Sequence, residues 1–311
     1  MLTDPQLGGF PELNAGKETF SIGQRHTSRT KCYALAMNLV RVELERDIGI
    51  LTLDSPAKRN ALSDALIGAV IAGLGQLEQA EARVAILRAP RGSKVFSAGH
   101  DVNELPQPGR DPLSYHDPLL RVIDALRRFS APVLAMVEGT VWGGACELVF
   151  CCDMIFATPD VTFAITPAKL GVPYNASGVL HLMNALPQNL LKEMLFTAAP
   201  MSCQSLAEVG VVNQIVPAEE LEIAVRDVAE RIAKNSSLAI HVLKEQLRML
   251  GGAHPLAPET FERLQGLRRR VYDSADYREG LVAFREKRPA KFGERTEESR
   301  SSPGNEMRIE K

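Results

Sequence analysis

The sequence contains no apolar run approaching the roughly 18 residues that a membrane span requires. No membrane partner is expected. It also has no surplus of positive charge. Thirty-six Lys and Arg stand against 38 Asp and Glu, for a net charge of −2. That balance disfavours nucleic acid as the main partner, because phosphate contacts call for a basic face. No CxxC pair occurs, and the cysteines number five: Cys32, Cys146, Cys151, Cys152 and Cys203. An odd count without pairing motifs argues against a disulfide framework and for a reducing, cytoplasmic setting. Cys146, Cys151 and Cys152 match no zinc spacing and lie in an apolar run, so they read as small core residues and no metal site is expected. Neither GxGxxG nor a Walker loop is present, which leaves a nucleotide-phosphate cradle without support. Without GxSxG there is no serine-hydrolase elbow.

What remains is an ordinary globular composition of 311 residues, 45% hydrophobic and 24% charged. It is enough for one large domain or two modest ones. Residues 1–36 are rich in Gly, Pro, Thr and polar groups without a helical or strand period, and read as a disordered extension. A targeting role is suggested by Arg25, Arg29 and Lys31 and opposed by Asp4, Glu12 and Glu18. Met37, just before the first patterned strand, is an alternative start. Residues 293–311 read as a disordered tail. A core over 37–200 mixes strands and helices, and a region over 201–292 is helical.

Alternating apolar residues in 39-LVRVELER-46 and 48-IGILTLD-54 predict a hairpin turning near Asp47 and Gly49. Ser63 is placed to cap a helix over 63–79, in which Leu66, Val70, Leu74 and Leu77 recur at helical spacing. Strands are predicted over 83–89, 132–139 and 153–158, and helices over 118–129 and 143–153. After residue 185 the pattern is almost all helical: 187–197, 202–209, 218–234, 237–250, 258–273 and 276–287. The run 268-RRR-270 reads as a wet helix face.

Two stretches, 95-VFSAGHDVNEL-105 and 139-GTVWGGACE-147, each end an apolar run in glycines. Gly143 and Gly144 precede a helix starting near Ala145. The first N–H groups of a helix have no internal partner, and the helix dipole adds positive charge there. A second N–H from the turn at His100 would complete an oxyanion hole, in which one donor is worth about 3 kcal/mol in the transition state.

Together, 98-AGHD-101 and 143-GGACE-147 resemble the AGxD and GGxxE turns of the crotonase (enoyl-CoA hydratase/isomerase) superfamily. The segments 58-KRNALS-63, 210-GVVNQIV-216 and 275-ADYREGLVAFREKR-288 extend the likeness over residues 39 to 292. The strings 93-SKVFSAGHDVNELP-106, 109-GRDPLSYHDP-118, 136-MVEGTVWGGA-145 and 171-GVPYN-175 are similar to decarboxylating members of that superfamily. The resemblance implies an α/β spiral of ββα units with a helical C-terminal region, assembled as a homotrimer or homohexamer. It implies that the amides of His100 and Gly144 hold a thioester oxygen, and that no cofactor is used beyond the CoA of the substrate.

A hydratase of this kind uses two glutamates. Glu147 matches the first. The second would fall on Pro167 or Ala168, and no Asp or Glu occurs from Val161 through Lys192. Decarboxylation needs no base to remove a carbon-bound proton, and the resemblance to decarboxylating members implies carboxy-lyase conversion of methylmalonyl-CoA to propionyl-CoA and CO₂ as the activity. Tyr174, in the apolar stretch 170-LGVPYN-175, is the candidate to orient the substrate carboxylate. Glu147 either relays the proton that quenches the enolate or bonds to backbone at its helix start. By the same resemblance, Ala98, Gly99, Asp101 and Val102 present backbone groups to the adenine end. Lys58 and Arg59 meet phosphates, Thr166 touches the acyl-pantetheine region, and Lys287 lies near the nucleotide. The rival readings are an enoyl-CoA hydratase or isomerase, and a non-catalytic acyl-CoA-binding or RNA-binding homologue.

Overall fold

The computed structural model describes residues 31–32, 39–105, 117–251 and 258–292. Met37, the tail over 293–311 and most of 1–36 lie outside them. Within 1–36, Lys31–Cys32 forms a short strand, β1, that pairs antiparallel with Leu44 and Glu43.

The expected hairpin consists of β2 (Val40–Glu45) and β3 (Ile48–Leu53), paired from Val40↔Leu53 to Glu45↔Ile48. That register leaves Arg46 and Asp47 as the loop, with Arg46 at φ 57. Gly49, expected at the turn, lies inside β3 instead. It is small for a packing reason: a Cβ there would come within 2.5 Å of Leu77 Cδ1. Leu77 belongs to α1 (Asp64–Gln79), whose N-cap Ser63 accepts from Leu66 N–H.

The chain then winds between two sheets. From the larger sheet, β4 (Val84–Arg88) passes to β5 (Val95–Ser97) in the smaller one. After α2 (Pro118–Arg128), β6 (Val133–Val137) passes likewise to β7 (Thr140–Trp142). After α3 (Gly144–Phe150), β8 (Met154–Ala157) passes to β9 (Thr162–Ala164). Each turn of this spiral adds one parallel strand to each sheet. The short strands of the smaller sheet are too brief to show a period in sequence.

Helices follow: α4 (Ala176–Ala185), α5 (Gln188–Thr197), and, after strand β10 (Met201–Ser202), α6 (Cys203–Glu208). Strand β11 (Gln214–Ile215) closes the larger sheet beside β8. The last described helices are α7 (Ala218–Ala233), α8 (Ser237–Gly251), α9 (Pro258–Tyr272) and α10 (Ala275–Arg285). Helix α4 lies before the expected all-helical region. Its N-cap Asn175 accepts from Gly178 N–H, but small residues follow and hide the helical stripe.

The larger sheet is buried on both faces, so its strands read as continuous apolar runs. Val84, Ile86, Leu134 and Met136 pack with Leu221 and Val225 of α7. The alternate residues Ala85, Leu87, Ala135 and Val137 join the main core with α1 and α2. Arg268 departs from expectation. It is buried rather than solvated, bonded to Gln265 Oε1 and set 6.0 Å from the Tyr272 ring. Its aliphatic stem and planar head suit it to such a place better than lysine. Among the described residues, no helix is long and apolar enough to cross a membrane.

Gly49→Ala should overpack the contact with Leu77. We expect a loss of about 1–3 kcal/mol in urea unfolding, and a smaller loss when Leu77→Ala is made in the same chain.

Candidate active site

The smaller sheet has the order β10-β9-β7-β5, and its last three strands run parallel. Parallel neighbours end side by side, so the loops after β5, β7 and β9 leave from one edge. Open parallel sheets characteristically hold ligands at such an edge. Here the three loops carry His100, Gly144 and Thr166, and they border a cavity of about 780 Å³.

The first two loops touch through their backbones. Gly99 has φ 82, and a Cβ on it would run into the Trp142 carbonyl and lie 3.1 Å from Gly144 N. Only glycine allows that approach. Leu62 bonds to both sides of His100: its N–H donates to the Gly99 carbonyl at 2.7 Å, and its carbonyl accepts from Asp101 N–H at 3.4 Å. The His100 N–H therefore faces away from Leu62, toward Gly144. A Cβ built on Gly144 would lie 3.8 Å from His100 N. Gly144 opens α3 one residue earlier than expected, so its N–H has no intrahelical acceptor. Neither amide has an acceptor among the described residues. Two unpaired donors thus converge on one cavity, which is the arrangement that holds an oxygen gaining charge.

Glu147, on α3, borders the cavity and is wholly buried. Of the two expectations for it, bonding to backbone is not what the structure shows. Its Oε1 lies 2.8 Å from His181 Nδ1, while Oε2 is buried without a partner. His181 was missed in sequence because it sits in α4 with no motif around it. Its one signal is being the lone ionisable group in 176-ASGVLHLMNA-185. Tyr174 stands beside this pair, its hydroxyl donating weakly to the Gly143 carbonyl at 3.4 Å. Burial, and then the Glu147 charge, pushes the phenol well above its ordinary range, so it remains a proton donor.

Asp117 is a second carboxyl that sequence reasoning missed. One oxygen caps α2 by accepting from Leu119 N–H at 2.9 Å, and the other is buried and unpaired. Burial raises its pKa above 3.8. The Nδ1 of His100 is also buried without a partner.

Of the residues expected at the CoA end, Lys58, Arg59, Ala98, Asp101, Val102 and Thr166 border the cavity. The Lys58 ammonium is 3.7 Å from Asp101, whose other oxygen accepts from Asn103 N–H and shapes the loop. Gly99 presents nothing to a ligand. Its N–H goes to Ser97 Oγ and its carbonyl to Leu62, so its part is the close approach described above. Lys287 is exposed beyond the end of α10 and does not border the cavity, whereas Phe284, one turn earlier, does. Cys146, Cys151, Cys152 and Cys203 are unpaired thiols whose pKa burial raises. Among the described residues, no group of three His, Cys, Asp or Glu is placed to hold a metal ion.

The family model Enoyl-CoA hydratase/isomerase matches residues 43–295. The chain is 45% identical to methylmalonyl-CoA decarboxylase of Escherichia coli (strain K12) over 258 residues, 83% of this chain and 99% of that protein. It is 32% identical to the mitochondrial enoyl-CoA hydratase of Pongo abelii over 250 residues, 79% of this chain and 83% of that one. Among solved structures, methylmalonyl-CoA decarboxylase in complex with 2-nitronate-propionyl-CoA matches with a TM-score of 0.82 at 45% identity, covering 84% of this chain and 100% of that one.

Asp117 gives a pH prediction. Because its folded pKa is raised, the native state binds more protons than the unfolded chain above 3.8, and stability falls as pH rises through that window. Asp117→Asn keeps the capping oxygen and removes the charge. The variant should be more stable than the parent in urea at neutral pH, with the gain vanishing in acid.

Proposed function

Because the chain belongs to the enoyl-CoA hydratase/isomerase (crotonase) family, we propose that its cavity decarboxylates methylmalonyl-CoA to propionyl-CoA through a thioester enolate. One observation carries this reading: the His100 and Gly144 amides meet at a cavity whose Thr166–Tyr174 wall contains no acid. A hydratase needs a second carboxylate on that wall to handle water. The decarboxylation does not, since the departing group takes no proton with it. The identity to a methylmalonyl-CoA decarboxylase over 83% of the chain supports the same choice.

The chemistry follows from the geometry. The thioester oxygen accepts from the two amides, and the helix dipole of α3 adds to their field. The Tyr174 hydroxyl donates to the substrate carboxylate and holds it out of the thioester plane. The breaking C–C bond then overlaps the carbonyl π system. As CO₂ leaves, its bonding pair passes into the enolate, and the charge moves from the carboxylate to the oxygen held by the amides. Glu147 faces the same space and supplies the proton that completes propionyl-CoA.

Lys58 and Arg59 sit at the cavity rim where a CoA phosphate would lie, and Thr166 lies beside Gly143, near the acyl-pantetheine path. We assign no cofactor other than the CoA carried by the substrate. The exposed apolar side chains Leu238, Leu247 and Leu250 of α8 support assembly as a homotrimer or homohexamer. Free buried thiols are consistent with a cytoplasmic setting.

Purified protein should release CO₂ from methylmalonyl-CoA and leave crotonyl-CoA unhydrated; rapid hydration without CO₂ release rejects the reading. Tyr174→Phe should lower kcat by about 100-fold with CoA affinity kept. Gly144→Pro, which replaces one amide donor with a ring that also presses on Leu119, should lower kcat by about 100-fold or more.

A further inference from the structure

Gly144 has a second close neighbour besides the turn at His100. A Cβ built on it would lie 2.8 Å from Leu119 Cδ2 and 3.8 Å from Leu119 Cδ1. The isobutyl group of Leu119 therefore rests on the residue that supplies one of the two amides. Leu119 borders the active-site cavity and is otherwise built into the main core, 4% exposed. It is the second residue of α2, and its N–H donates to the Asp117 carboxyl at 2.9 Å. Its backbone is thus pinned, and close packing behind it leaves the side chain little room to withdraw from the cavity wall.

The other side chains set beside the glycine pair are polar. A Cβ on Gly143 would lie 3.6 Å from Thr166 Oγ1, and the Tyr174 hydroxyl reaches the Gly143 carbonyl. Glu147 follows one turn along α3. A thioester whose oxygen is held by His100 and Gly144 has its C2 two bonds from that oxygen, in the same small space. In methylmalonyl-CoA that carbon bears two groups of unlike character, a carboxylate and a methyl. The polar side takes the carboxylate, at Tyr174. The methyl is left to the aliphatic side, where Leu119 stands.

We infer that Leu119 is a specificity-determining residue whose side chain closes the pocket for the C2 substituent at the size of a methyl group. The inference rests on the decarboxylase reading for what that substituent is. An ethyl group needs room for one more carbon, and Leu119 occupies that room. Malonyl-CoA, with hydrogen in place of the methyl, leaves a gap against Leu119 and forgoes the contact. One carbon more or less in an apolar pocket changes kcat/KM by about 10- to 200-fold.

CO₂ release from malonyl-CoA, methylmalonyl-CoA and ethylmalonyl-CoA, compared between the parent and Leu119→Ala, tests this. The parent should favour methylmalonyl-CoA over ethylmalonyl-CoA by about 10-fold or more in kcat/KM. In Leu119→Ala the ratio of ethylmalonyl to methylmalonyl turnover should rise by about 10-fold or more. Leu119→Val removes a single carbon, should raise the ratio by less, and serves if alanine prevents folding. A parent that takes all three substrates equally overturns the inference. So does a loss of activity shared equally by all three in the variants, which is the mark of a merely structural role. A parent that releases CO₂ from none of them rejects the decarboxylase reading alone. Calorimetric titration with propionyl-CoA and butyryl-CoA, whose C2 carries a methyl and an ethyl group, then decides the inference. Affinity for butyryl-CoA relative to propionyl-CoA should rise in Leu119→Ala, and an unchanged ratio overturns it.

Discussion

Two strand ends brought close enough for their backbones to touch are the constraint on which the site depends. β5 and β7 are parallel neighbours, so the turns that follow them leave the sheet together. Contact between those turns is possible only because Gly99 lacks a side chain where the Trp142 carbonyl passes. Leu62 grips the main chain on both sides of His100 and thereby fixes the direction of its N–H. The donor pair is preorganised by main-chain hydrogen bonds rather than by side-chain rotamers, and little has to move when charge develops.

Around that pair the protein holds ionisable groups in a poorly solvated setting. All seven residues of α3 are buried. Glu147 is matched to an imidazole, Asp117 spends one oxygen on a helix cap, and the Tyr174 phenol is kept protonated by its surroundings. Electrostatic interactions are stronger where water is excluded, and unpaired groups cost more there. The unpaired oxygens of Glu147 and Asp117 and the unpaired nitrogen of His100 all lie at this one place. Unsatisfied polar atoms gathered at a cavity mark a site built for a ligand rather than for stability alone.

Much of this was legible in the amino-acid string because it is local. Ser63 announces α1, and the stripe of Leu66, Val70, Leu74 and Leu77 announces its buried face. Gly99 and Gly144 betray their turns, and the acid-free run from Val161 to Lys192 is visible at a glance. What escaped was set by contacts distant in sequence. Gly49 looks like a turn glycine, and only the position of Leu77 shows otherwise. His181 lies 34 residues from Glu147 and has no motif to mark it. Arg268 looks solvated in a run of three arginines, yet Tyr272 and the fold around it take it inside. Gly99 was expected to meet the ligand, whereas its backbone groups are already taken.

Helix α10 is pressed against the turn that leads to Tyr174. A side chain at Gly280 would strike the Leu170 carbonyl, and one at Gly171 would come within 2.9 Å of the Asp276 carbonyl. The wall that holds the phenol is thus propped by a helix that follows it far along the chain. During synthesis the spiral emerges first and its prop long afterwards. A nascent chain can place both amide donors before α10, which follows them in sequence, backs the segment bearing the phenol.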